Sequence, residues 1–146
     1  MITLTRAQVG MVPHDRIRDV TARHPHLARV YWLMTNIDAA IHREWTASVG
    51  RRTALAGMAH LFCELLLGLE VIGCTSGNSY DFPLTQAELG ECLGLTPVHV
   101  NRTLQELRRM GLIQLEERRV TILDLDGLQD VAAFDPQYLY LEKRSR

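Results

Sequence analysis

Apolar residues recur along this chain at more than one spacing, and each spacing predicts a different element. From His26 onward, Leu27, Val30, Met34, Ile37 and Ile41 follow one another at steps of three and four, the a/d seam of a heptad. No glycine or proline intervenes before Gly50, so about 24 residues form a helix roughly 36 Å long. Tyr31, Trp32, Leu33 and Trp45 add apolar surface outside the seam, which predicts more than one neighbour for this helix. Two arrangements fit it, a helix buried in a monomeric bundle or a seam that takes a second copy. A seam this long on a chain this short favours the second copy. Arg51 to Leu69 forms the next helix, with Ala54, Leu55, Met58, Ala59, Phe62, Leu65, Leu66 and Leu69 on a broad apolar face and Gly50 as hinge.

The ends of the pattern are weaker. Ile2, Leu4, Val9, Met11 and Val12 alternate loosely and predict one or two short strands that stop at Pro13. A strand standing alone is unstable in water, so this segment reads as the tail of something larger. Asp15 to Arg23 predicts a short helix with Ile17 and Val20 on one face, broken at His24-Pro25. Cys74 to Tyr80 predicts a polar loop closing at Asp81-Phe82-Pro83-Leu84.

Residues 85–111 hold the most specific pattern. Thr85-Gln86-Ala87-Glu88 has the form of a capping box and opens a short helix with Leu89 and Leu93 facing inward. Gly94 stops that helix, since glycine takes the left-handed conformation a tight inter-helix turn demands. Leu95 plugs the turn, Thr96 caps the next helix, and Pro97 sits at its first position. Val100, Leu104 and Leu107 form the inward stripe, and Gly111 ends it. Two helices of these lengths across a glycine turn are a helix-turn-helix. The second then presents Val98, His99, Asn101, Arg102 and Gln105 outward. These types suit a DNA major groove, where Arg pairs with guanine and Asn or Gln with adenine.

Leu112-Ile113-Gln114-Leu115 and Val120-Thr121-Ile122-Leu123 are strand-like and predict a hairpin through Glu116-Glu117-Arg118-Arg119. Between Thr96 and Arg119 five arginines face three glutamates. This local excess is modest, so the hairpin tip is read equally as a phosphate clamp through Arg118 and Arg119 or as a structural turn.

Composition narrows the class further. The chain has 146 residues, 47% hydrophobic and 23% charged, with a formal net charge of -1. That fits a globular protein and excludes a disordered or collagen-like chain. Any positive charge used on nucleic acid must be local. The most apolar stretch, Leu65 to Ile72, is interrupted by Gly68 and Glu70, so no membrane span is expected, and no signal peptide is evident. The cytoplasm is the expected location. Cys63, Cys74 and Cys92 make no CxxC pair and are expected to be reduced and mostly buried, Cys92 as core packing. His24 with His26, and His60 with Cys63 and Glu64, have ligand-like spacing but read as core edge, so no metal is expected. No nucleophile elbow, phosphate loop, HExxH or paired-carboxylate motif points to an enzyme.

The run Leu84-Thr85-Gln86-Ala87-Glu88-Leu89-Gly90 through Gly94-Leu95-Thr96-Pro97-Val98-His99-Val100-Asn101-Arg102-Thr103-Leu104, continued by Leu107, Gly111, Leu112 and Ile113, resembles the DNA-binding domain of Crp/Fnr-type bacterial transcription regulators. Residues 26–49 resemble that family's dimerisation helix, 51–69 its following helix, and 126–139 a C-terminal helix of some members. The resemblance implies base reading from the first turns of the second motif helix, at Pro97, Val98 and Arg102, with His99 and Asn101 nearby. Arg102 matches the base-contacting arginine. Pro97 and Val98 depart from the family's Arg-Glu pair, leaving Val98 for a thymine methyl. It further implies a contact with RNA polymerase through loop 73–81. The chain starts at what resembles the last strand of the family's N-terminal β-roll sensor, so most of that sensor is not expected within these residues, whether by truncation or in a naturally sensorless regulator. The glycines and arginine of a cyclic-nucleotide site and the cysteines of an iron–sulfur centre are absent, so no cofactor is expected.

The expected fold is mainly α with a small β wing, a winged helix-turn-helix domain preceded by a long dimerisation helix. Its parts are a sensor remnant and short helix (1–25), the dimerisation helix (26–50) and the DNA-binding domain (51–146). The expected function is sequence-specific binding of double-stranded DNA by a homodimer on a pseudo-palindromic site. Its contacts would be Thr85, Gln86, Thr96, Pro97, Val98, His99, Asn101, Arg102, Gln105, Arg118 and Arg119. The competing expectation is an interaction module that forms mixed dimers with a full-length regulator and blocks it.

Overall fold

A computed structural model describes residues 6–141. Helix α1 (His14–Arg23) leads into α2 (Pro25–Arg51), and the pair forms an arm. The backbone before α1, residues 6–13, is irregular, so the expected strand is absent there, and Ile2 and Leu4 lie outside the described residues. Val9, Met11 and Val12 are exposed and find no sheet edge to join, which is why alternation alone did not make a strand. Proline at the first position of α2 breaks α1 from α2 as expected, because His24 is forced out of helical geometry.

The predicted hinge moves by two residues. Gly50 lies inside α2, which runs on to Arg51, and the chain turns at Arg52 and Thr53 with both in extended conformation. Glycine is costly in a helix but does not break it, and the stop comes where Thr53 accepts a hydrogen bond from the Ala56 amide and caps α3 (Ala54–Val71). By length and composition α3 is apolar enough to cross a membrane. In this fold it is the central helix of the head, with Met58, Ala59, Phe62, Cys63 and Leu66 fully or almost fully buried.

Around α3 sit α4 (Gln86–Leu93), α5 (Pro97–Arg109), α6 (Leu125–Ala132) and a four-stranded antiparallel sheet. The sheet runs β1 (Thr75–Ser76), β2 (Ser79–Asp81), β4 (Arg119–Ile122), β3 (Ile113–Glu116) in spatial order. The segment read as a polar loop is therefore a hairpin, and β2 pairs Tyr80 with Val120. Three-residue strands carry too little periodicity to be seen locally; Tyr80 is fixed by long-range pairing and by donating its hydroxyl to the Phe62 carbonyl at 3.1 Å. Val100, Leu104 and Leu107 of α5, Ile113, Val120 and Ile122 of the sheet, and Leu128 of α6 complete one apolar cluster.

The expected C-terminal helix divides. Helix α6 stops at Ala133, which is left-handed, and Asp135 caps a 3₁₀ turn at Pro136–Leu139. Proline after the cap prevents the helix from continuing. The cysteines also correct expectation: Cys63 is buried, while Cys74 and Cys92 are exposed. Cys92 lies on the outer side of α4, two positions from Gly90, which faces the core.

Candidate nucleic-acid interface

The candidate reading edge is built from two helices and one turn. Thr85 opens α4 as a full capping box: its hydroxyl accepts from the Glu88 amide at 3.2 Å, and the Glu88 carboxylate accepts from the Thr85 amide at 2.7 Å. The Thr85 backbone bond, then its side-chain bond, hold Glu88 below the usual carboxylate range. Gly94 closes α4 at φ 66°, the left-handed conformation expected of it. Thr96 caps α5, accepting from the His99 amide, and Pro97 occupies the first helical position.

Gly90 contributes a constraint that periodicity does not reveal. A side chain there would place its Cβ 2.6 Å from the Leu95 carbonyl oxygen, inside contact distance with backbone. The turn therefore packs directly on α4, with the Leu95 amide donating to the Gly90 carbonyl at 2.8 Å. Only glycine permits that approach. The spacing Gly90 to Gly94 was the available signal, and it is a weak one.

Helix α5 divides cleanly by face. Val100, Thr103, Leu104 and Leu107 are buried, and Val98, His99, Asn101, Arg102 and Gln105 are exposed. Val98 is 77% exposed, an unusual state for a valine that nothing in the head covers. Thr85, Gln86, Thr96 and Pro97 are exposed at the starts of α4 and α5. The predicted reading residues of α5 are thus exposed on its outward side, and those at the starts of α4 and α5 are exposed as well. Thr103, between Asn101 and Gln105 in sequence, is turned inward and belongs to the core.

The arginines are less available than their number suggests. Arg108 donates to the Leu115 carbonyl at 2.9 Å, Arg118 donates to the Pro83 carbonyl, and Arg119 pairs with Asp81 at 2.8 Å. Among the described residues, the side chains of Arg102 and Arg109 form no hydrogen bond, although both residues belong to α5. The β3–β4 tip is a two-residue turn, Glu116 pairing with Arg119 and Glu117 and Arg118 both left-handed at φ 47° and 62°. This matches the twist of a tight hairpin. Arg118 and Arg119 remain exposed, yet both brace the hairpin against the 81–83 segment.

Along the arm, Leu27, Ile37 and Ile41 are half-buried, and Val30 and Met34 are exposed. The His60, Cys63 and Glu64 group does not converge as ligands, and no metal-binding cluster occurs among the described residues. His60 is buried beside Tyr138 and Phe134. Burial, and then the charge of Arg52, lower its pKa from the ordinary histidine value.

Two short helices braced across a glycine turn and followed by a β-hairpin define a winged helix-turn-helix protein. A family model described as the Crp-like helix-turn-helix domain matches residues 58–131, and the chain belongs to this Crp/Fnr family of transcription regulators. A probable transcriptional activator of Rhizobium leguminosarum bv. viciae is 32% identical over 128 residues, covering 86% of this chain and 52% of that protein. The transcriptional activator FnrL of Cereibacter sphaeroides is 32% identical over 123 residues, covering 80% and 49%. The chain spans about half the length of these curated relatives. Among solved structures, FixK2 from Bradyrhizobium japonicum superposes with a TM-score of 0.69 at 21% identity, over 85% of this chain and 61% of that one. A CRP-family regulator from Thermus thermophilus gives 0.57 at 23% identity, over 76% and 55%. These two share the fold.

Proposed function

We propose that this chain is a sequence-specific DNA-binding regulator that acts as a homodimer on a pseudo-palindromic site in the cytoplasm. The observation that carries the reading is the division of α5. Its inward face is core, while Val98, His99, Asn101, Arg102 and Gln105 stand together on an edge with no structural duty. A helix held this way by a preceding helix can enter a major groove with its N-terminal half. Arg102 reads guanine, Val98 packs on a thymine methyl, and Thr96, His99, Asn101, Thr85 and Gln86 orient the edge on the backbone. Arg118 and Arg119 add a wing contact, limited by the bonds they already make. Seam residues Leu27, Val30, Met34, Ile37 and Ile41 take the second copy. Loop 73–81, exposed over much of its length although Tyr80 is buried, is the face offered to RNA polymerase.

Selection of bound fragments from random DNA tests this directly. The expected product is a pair of inverted half-sites centred about 34–36 Å apart, one helical turn. Binding should weaken steeply as salt rises. Absence of binding at low salt overturns the proposal. If that absence is accompanied by tight mixed dimers with a full-length relative, the blocking module is the correct reading.

A further inference from the structure

One side chain ties the arm to the head from both sides. Glu64, on α3, accepts from Trp45 Nε1 of α2 at 2.8 Å on one oxygen and from the Tyr138 hydroxyl on the other. Tyr138 lies in the 3₁₀ turn near the C-terminus. Beside it, Arg52 donates to Glu44 at 2.7 Å and to the Ala132 carbonyl at 3.4 Å. His60 fills the space between them, its Nε2 3.5 Å from Glu44 and 3.4 Å from the Tyr138 hydroxyl, with its ring stacked on Tyr138. No buried side-chain polar atom is left without a partner among the described residues. The covalent joint between α2 and α3 is only Arg52 and Thr53, both extended.

We infer that Glu64, Tyr138 and Trp45 are positioning residues that set the arm–head angle and, through it, the half-site spacing the protein accepts. Apolar packing tolerates several angles, whereas directed hydrogen bonds in a low-dielectric joint favour one. In a dimer whose arms run together, that angle fixes how far apart the two α5 edges stand. The inference rests on the proposed dimeric DNA binding for its consequence, but not for its geometry. Tyr138 reaches this role from far along the chain, after the wing, and none of the three residues touches the reading edge.

The test uses the full chain with Cys74→Ser and Arg29→Cys, spin-labelled at Cys92 and position 29 and mixed with excess unlabelled chain. Pulsed electron spin resonance should give one narrow distance within a chain. Tyr138→Phe, Glu64→Gln and Trp45→Phe should each broaden that distribution while the head stays folded by circular dichroism. An unchanged distribution in the folded variants overturns the inference. On sites with the half-sites moved by one base pair, the parent should discriminate, and the variants should lose about threefold or more of that discrimination. Equal discrimination in parent and variants also overturns it. If the parent binds no DNA, the proposed function fails, and the distance measurement still decides the joint.

Discussion

Head and arm bury their apolar residues in different ways. In the head, Met58, Phe62, Tyr80, Val100, Leu107, Val120 and Leu128 are wholly shielded by the chain's own helices and sheet. In the arm, no residue of α1 and only Ser48 of α2 is buried, while Tyr31, Trp32, Leu33 and Met34 are about half or more exposed, Trp32 at 72%. A contiguous apolar surface of this kind is what soluble chains normally cover. The handover occurs within α2. Val30 and Met34 of its seam are exposed while Leu27, Ile37 and Ile41 are half-buried, and from Glu44 onward the helix is bonded to its own head. The head thus encloses its own core, whereas the arm leaves apolar side chains open, the surface that the proposed second copy would cover.

That contrast can be broken by substitution. Leu107→Ala removes a fully buried side chain and should cost about 2–5 kcal/mol of head stability, read by urea denaturation at constant protein concentration. Met34→Ser on the arm should leave head stability within about 0.5 kcal/mol. It should instead shift the oligomeric equilibrium toward monomer in sedimentation equilibrium. A head-destabilising Met34→Ser would mean the seam belongs to the head's core. Thr85→Ala, which removes the α4 cap, should cost about 1 kcal/mol in the same denaturation series. A fall in DNA affinity larger than the loss of fold accounts for would show that Thr85 also touches the duplex.

The smallest expected effect concerns pH. His60 has its pKa lowered in the folded state, by burial first and then by Arg52, against the opposing charges of Glu64 and Glu44. The unfolded chain therefore binds the proton more readily, and folding stability from this group is complete above the ordinary histidine value. It declines as pH falls from about 6.5 toward the lowered value. Tyr138, Glu64, Glu44 and Arg52 are the ionisable groups facing His60. Thermal unfolding between pH 5 and 7.5, with His60→Gln as reference, checks the sign. Stability that rises on acidification in this window, relative to the variant, contradicts it.

Much of the head's logic was visible as local pattern. The capping box at Thr85, the stop at Gly94, the Thr96-Pro97 start and the Val100, Leu104, Leu107 stripe are each encoded within a few residues. So is the arm's long helix, since the run after Pro25 is uninterrupted by proline. Some of the misses are long-range and others local. The β1–β2 hairpin is defined by its pairing with β4, about 40 residues further on. Glu64 reads as core edge from its helical spacing with His60 and Cys63, but that spacing does not show its partners, Trp45 and Tyr138, which come from other elements. Gly50 misled because a glycine that remains helical looks, in sequence, like one that ends a helix. Cys92 misled because an apolar residue type was placed by its type rather than by the face of α4 it occupies.

In the proposed function the exposed edge of α5 reads base pairs, with Arg102 as its main determinant. The direct measurement is the affinity of Arg102→Ala, beside the parent, for the selected site and for a set with each base pair changed. A loss of about 1–3 kcal/mol on the selected site is expected. The same symmetry-related position in both half-sites should lose its base preference. An equal loss on every sequence would make Arg102 a phosphate contact, and no loss at all would contradict the reading edge.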